Sequence, residues 1–144
     1  MSRPRILIVE GSPDLAHGLA EALEFAGFSP LHAHAGIEAL QVATESRPDL
    51  ILLDTQLPDM DGLTAVEMLK NDPVMAPIPI VVMTANDLEG EQARTMTRTC
   101  VGYVQKPVQP RHLVTLLRAI LRLPVDEPAK KARSKPPAAR RSPG

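Results

Sequence analysis

Four residues have types and positions that could do chemistry together: Glu10, Asp54, Thr84 and Lys106. Each comes after a short aliphatic run. Asp54 offers a carboxylate able to attack phosphorus and form an acyl phosphate. Transfer of a phosphoryl group depends mainly on neutralising charge on its three oxygens. Lys106 would supply a mobile positive charge, Thr84 a hydroxyl donor, and the backbone N–H groups of Gln56 and Ala85 further donors. A hard divalent cation, Mg²⁺ above all, could bridge Asp54, Glu10 and the phosphate. Taken singly, each residue has a duller reading: a turn or cap for Asp54, a solvated surface charge for Lys106. The chemistry requires that the four be neighbours.

Whether they are neighbours depends on the elements between them. Ile6-Leu7-Ile8-Val9, Leu50-Ile51-Leu52-Leu53 and Ile78-Pro79-Ile80-Val81-Val82-Met83 are apolar on both faces and read as buried strands. Two weaker runs lie near Phe28 to Ala33 and Val101 to Val104. Helical patterns alternate with them. Ser12 can cap the first and Pro13 suits its first position. Leu15, Leu19, Ala22, Leu23 and Ala26 then recur at helical spacing, and Gly27 can end it. Others are expected over Ile37 to Glu45, Leu63 to Lys70, Glu89 to about Thr97, and from Pro110 through Leu121. Alternation of this kind implies a doubly wound α/β fold, a five-stranded parallel sheet of flavodoxin-like order 2-1-3-4-5 covered by five helices. Ligands in such folds bind beyond the carboxyl ends of the strands, at the switch point between strands 1 and 3. Glu10 and Asp54 should therefore meet there, flanked by Thr84 and Lys106.

Composition excludes several classes. Aromatic residues make up 2% of the 144, so the core must be aliphatic and no base-stacking platform is available. The single cysteine, Cys100, rules out an internal disulfide and a cysteine-rich metal site. No apolar run is long enough to span a bilayer and Met1 to Arg5 make a poor signal peptide, so a cytoplasmic location is expected. Net charge is −1, but residues 125–144 hold six Lys/Arg and two acids, making an acidic globule with a basic tail. That tail is rich in Pro, Ala, Lys, Arg and Ser and is expected to be disordered, leaving residues 1–124 as the domain. No DNA-reading module comes after it, so no specific nucleic acid is expected. His32-x-His34 has a metal-ligand spacing but no evident third ligand.

The stretches ILIVEGSPDL, RPDLILLDTQLPDMDGL, PIPIVVMTA and GYVQKP, in this order and spacing, resemble the response-regulator receiver domains of two-component signalling. The resemblance covers residues 5 to about 122. It implies that Asp54 is the phosphoacceptor and that Lys106 pairs with the phosphate, ahead of a cis bond to Pro107. It implies that Thr84 is the switch hydroxyl and Tyr103 the switch aromatic. It places the metal on Glu10, Asp54 and the backbone carbonyl of Gln56. Gln56 and Asn86 would flank the point where water attacks the phosphoryl group. The face made by the fourth helix, fifth strand and fifth helix would dock partners. The expected donor is a histidine kinase or histidine phosphotransfer protein, the expected acceptor a downstream protein target, and a homodimer through the same face is one arrangement it allows.

One position departs from the family pattern. Receivers usually carry two acids after the first strand, and here the pair is Glu10-Gly11. With one carboxylate fewer, Mg²⁺ should bind more weakly. Two functions stand as alternatives: a single-domain response regulator in a phosphorelay, or a receiver-like interaction module that works without phosphate. An enzyme is not expected. Haloacid-dehalogenase-type phosphatases also use an Asp after a buried strand, as in Leu53-Asp54-Thr55, but need a second Asp two residues on, where this chain has Gln56.

Overall fold

The structure, a computed structural model, describes residues 3–85 and 90–123. The chain divides into two units after Val114, and the sheet and the site belong to the first. The elements are β1 (Arg5–Val9), α1 (Pro13–Phe25), β2 (Ser29–Ala33), α2 (Gly36–Ser46), β3 (Leu50–Asp54), α3 (Gly62–Asn71), β4 (Ile80–Thr84), α4 (Gly90–Thr99), β5 (Gly102–Gln105) and α5 (Pro110–Ile120), whose last residues enter the second unit. The strands form one parallel sheet in the order β2-β1-β3-β4-β5. The doubly wound arrangement expected from the alternation of runs is thus the one observed.

The three central strands are aliphatic on both faces because both faces are covered. Every residue of β3 and β4 is buried. Leu7 and Val9 of β1, Ile51 and Leu53 of β3, and Ile80 and Val82 of β4 share one core cluster with Ala39 and Ala43 of α2, Ala65, Val66 and Leu69 of α3, and Met96 of α4. Alternation sends Ile6, Ile8, Leu50, Leu52, Val81 and Met83, all buried, to the opposite face. The fourth strand starts at Ile80, two residues later than its apolar run, because Pro79 has no N–H to give a ladder. Its carbonyl still accepts from Ile51 at 2.9 Å.

Local signals explain the helix ends. The Ser12 side chain caps α1 by accepting from Leu15 N–H at 3.3 Å, with Pro13 directly after it. At the other end Phe28 N–H reaches the Leu23 carbonyl at 2.9 Å and Gly27 N–H that of Glu24 at 3.1 Å. This is a Schellman closure, and Gly27, at φ 100°, has the conformation it requires. The buried stripe of α1 is Ala16, Leu19, Ala20 and Leu23. Leu15, expected on that stripe, is 52% exposed. The helix is rotated so that two alanines, small enough for close approach, face the core.

Candidate functional site

Strand register brings the four residues together. Val9 pairs with Leu53, so the next residue, Glu10, lies opposite Asp54. Asp54 pairs with Met83, and Thr84 is one step further on. Thr84 pairs with Gln105, and Lys106 is the next residue. Glu10, Asp54 and Thr84 are the three buried polar residues among those described, each under 5% exposed. Carboxylates at a sheet edge survive such burial only with partners.

Those partners are present. The Lys106 ammonium lies 2.5 Å from Oδ2 of Asp54 and 3.0 Å from Oε1 of Glu10. Gln56 N–H donates to Oδ1 of Asp54 at 2.9 Å, and Ser12 N–H to Oε2 of Glu10 at 3.1 Å. Glu10 Oε1 is buried and has no well-angled hydrogen bond, so the ammonium compensates it as a charge. Burial pushes the Glu10 carboxyl above its ordinary value; the Ser12 N–H pulls it back and the adjoining Asp54 carboxyl pushes it up again. Burial would lower the Lys106 ammonium, but the two carboxylates outweigh it and hold the group above its ordinary value. Lys106 itself is anchored by its N–H to the Thr84 carbonyl at 2.7 Å and precedes a cis peptide bond to Pro107.

The loop between β3 and α3 is tied at several points. Thr55 N–H donates to the Met83 carbonyl at 2.9 Å and Gly62 N–H to the Thr55 carbonyl at 2.7 Å. A Cβ on Gly62 would come within 2.6 Å of Thr55 Cα, so only glycine permits this closure beside Asp54. Asp61 caps α3 through Thr64 N–H at 2.8 Å. Asp59 caps α2, a helix remote in sequence, by accepting from Gly36 N–H at 2.7 Å and Ile37 N–H at 3.0 Å. These N–H donors hold both carboxyls below their ordinary values. Sequence reasoning missed both caps. For Asp59 a signal existed: Ala35 precedes α2 and has no side-chain acceptor, so the helix needed a carboxylate from elsewhere.

The remaining expected site residues are more scattered. Ala85 is exposed, directly after Thr84. Tyr103 is 59% exposed and lines a cavity of about 220 Å³ with Val82, Met96, Thr97, Cys100, Val101 and Gly102. Asn86, expected with Gln56 to flank an attacking water, lies outside the described residues, as do the tail 125–144 and the start expected for the fourth helix at Glu89. Beside Lys106 a second cavity of about 530 Å³ is bordered by Asp14, Leu15, Leu19, Pro107 and Val108.

The two carboxylates, one with an oxygen lacking a hydrogen bond, suit a hard cation. At Gly11 a Cβ would stand 3.2 Å from Pro58 Cδ, a tight contact that the Pro58 ring would have to relieve. Among the described residues no three His, Cys, Asp or Glu side chains converge to hold a metal.

An open parallel sheet with two carboxylates and a lysine gathered at its switch point is the architecture of a signal-receiver domain. The chain belongs to the response regulator receiver domain family, whose family model matches residues 6–118. It is similar to the polar-differentiation response regulator DivK of Brucella anthropi, 35% identical over 112 residues that make up 77% of this chain and 91% of that protein. The DivK of Brucella ovis is 34% identical over the same shares. Among solved structures it resembles a sensor protein from Polaromonas (TM-score 0.76, 34% identity, 83% of this chain and 98% of that one). It likewise resembles a response regulator receiver domain from Methylobacillus flagellatus (TM-score 0.75, 27% identity, 83% and 99%). Receiver domains are signalling modules that bind Mg²⁺ at the phosphorylation site and interact with histidine kinases or phosphotransfer proteins and with downstream targets. No helix among the described residues is long and apolar enough to cross a membrane.

Proposed function

We propose that the chain is a single-domain response regulator of the cytoplasm that takes a phosphoryl group on Asp54 from a histidine kinase or histidine phosphotransfer protein and signals to a protein target. The supporting observation is the triangle of buried Asp54 and Glu10 with partly exposed Lys106, whose Nζ is 2.5 Å from Asp54 Oδ2. In the transfer the N–P bond of the donor's phosphohistidine breaks as a carboxylate oxygen of Asp54 bonds to phosphorus. Lys106, held near Asp54, moves its charge from carboxylate to phosphoryl oxygen, and the N–H groups of Gln56 and Ala85 and the Thr84 hydroxyl take up the rest. Glu10, Asp54 and the Gln56 carbonyl would hold Mg²⁺, which supplies charge neutralisation between carboxylates and phosphate. Lacking an acid at residue 11, the site should hold it weakly. Thr84 and Tyr103 form the switch: the hydroxyl drawn to phosphate vacates space, and Tyr103 can turn into the cavity it already borders.

Gly11 favours one alternative, a receiver that binds its partner without phosphate. The deciding experiment is incubation with acetyl phosphate and Mg²⁺ and then intact mass, with Asp54→Asn in parallel. A hydroxylamine-labile phosphate on the wild type alone supports the switch. No adduct on the wild type, with Gly11→Asp accepting phosphate, supports the interaction module.

A further inference from the structure

His32 lies one residue short of the close of β2, the edge strand, and His34 is two positions later, so their side chains leave the chain on the same side. Both are exposed. Their rings are stacked, with centroids 6.2 Å apart and planes 19° from parallel. Nδ1 of His34 lies 3.0 Å from the Glu10 main-chain carbonyl oxygen. A carbonyl can only accept, so Nδ1 carries the proton, and in the neutral ring the lone pair is on Nε2. Metal-binding histidines use this arrangement, with one nitrogen donating to a backbone carbonyl so that the other is fixed as a ligand. The backbone at His34 is held as well, its N–H donating to Glu38 Oε1 at 2.8 Å.

We infer that His32 and His34 form a two-imidazole surface site for a borderline divalent transition-metal ion, Cu²⁺ most strongly. No third His, Cys, Asp or Glu side chain joins them among the described residues, so water must complete the coordination. Two nitrogens with open positions suit the tetragonal preference of Cu²⁺ or Ni²⁺, and fall short of the four protein ligands of a structural zinc site. His34 is the preorganised ligand, and His32, exposed to solvent, turns to meet it. The site is separate from the phosphoryl pocket and does not depend on phosphorylation, but it touches the backbone of Glu10.

The test is titration of the full chain with CuCl₂ in a non-chelating buffer, read by calorimetry and electron paramagnetic resonance. One equivalent should bind with hyperfine structure from two imidazole nitrogens. His32→Ala should weaken it by about tenfold or more. His34→Gln, which keeps an amide donor for the Glu10 carbonyl but loses Nε2, should do the same. A variant with both His17→Ala and His112→Ala, at exposed positions elsewhere, should bind as the wild type does. Failure of the wild type to bind, or affinity unchanged in His32→Ala and His34→Gln, would overturn the inference.

Discussion

Lys106 Nζ stands 2.5 Å from Asp54 Oδ2, so the residue that would receive a phosphoryl group already rests against the charge that would stabilise it. One ammonium serves two buried carboxylates, since Glu10 Oε1 is 3.0 Å away. Substituting Lys106→Met should leave two adjoining carboxylates with no cation. We expect a loss of about 2 kcal/mol at neutral pH, less than for a fully buried pair because the ammonium is partly exposed. Urea denaturation would measure it, and Glu10→Gln in the Lys106→Met background should recover part of the loss. Equal stability of Lys106→Met and wild type would mean that the pair is held together by the fold and contributes nothing to it.

Gly62 and Gly36 should respond differently to alanine. At Gly62 the new Cβ meets backbone, Thr55 Cα at 2.6 Å and the Asp54 carbonyl oxygen at 3.2 Å. At Gly36 it meets the thioether of Met60, and a flexible side chain can move away. Gly62→Ala should cost about 1–3 kcal/mol and slow phosphorylation by acetyl phosphate, while Gly36→Ala should cost less. Thermal denaturation of the two variants ranks them, and the reverse ranking would show that the loop after β3 is not closed by Gly62.

Acid should weaken the loop before it unfolds the core. Asp59 and Asp61 have carboxyls held below their ordinary values by N–H donors of two helix ends. A depressed native value means stabilisation that is complete above the unfolded value, about 4 for Asp, and lost as pH falls through the lower native one. The stability of Asp59→Asn and Asp61→Asn should therefore vary less than that of the wild type below about pH 4. Asp61→Ala should also cost about 1 kcal/mol at neutral pH as a lost cap. Denaturant midpoints recorded from acid to neutral pH would show wild-type and Asn-variant curves converging in acid if the sign is right.

Restoring an acid at residue 11 should raise Mg²⁺ affinity about tenfold, since charge count at the site sets it. Pro58 must yield by a few tenths of an ångström, because the Cβ of Gly11→Asp begins 3.2 Å from its Cδ. Calorimetric titration with MgCl₂ compares the two proteins. Affinity that does not rise would place the weakness elsewhere than in the missing carboxylate.

Much of this protein is readable along the chain because a central parallel strand has to be apolar on both sides. That requirement makes Ile6-Leu7-Ile8-Val9 and Leu50-Ile51-Leu52-Leu53 visible as runs, and the residue at the carboxyl end of each run must stand at one edge of the sheet. Glu10, Asp54, Thr84 and Lys106 could be grouped on that ground alone, and the missing acid at Gly11 needed no coordinates to be noticed. Relations set by packing between elements were not readable. The rotation that exposes Leu15 and buries Ala16 depends on how closely α1 approaches the sheet. The cap from Asp59 to Gly36 and the bond from His34 to the Glu10 carbonyl join residues more than twenty apart, through loops with no period of their own. Local sequence determined the elements and the order of the chemical groups, because burial and helix caps act over a few residues. Tertiary structure alone decided that one ammonium meets both carboxylates, which loop closes over glycine and which carbonyl the His34 ring reaches, because those depend on distances that only the assembled sheet sets.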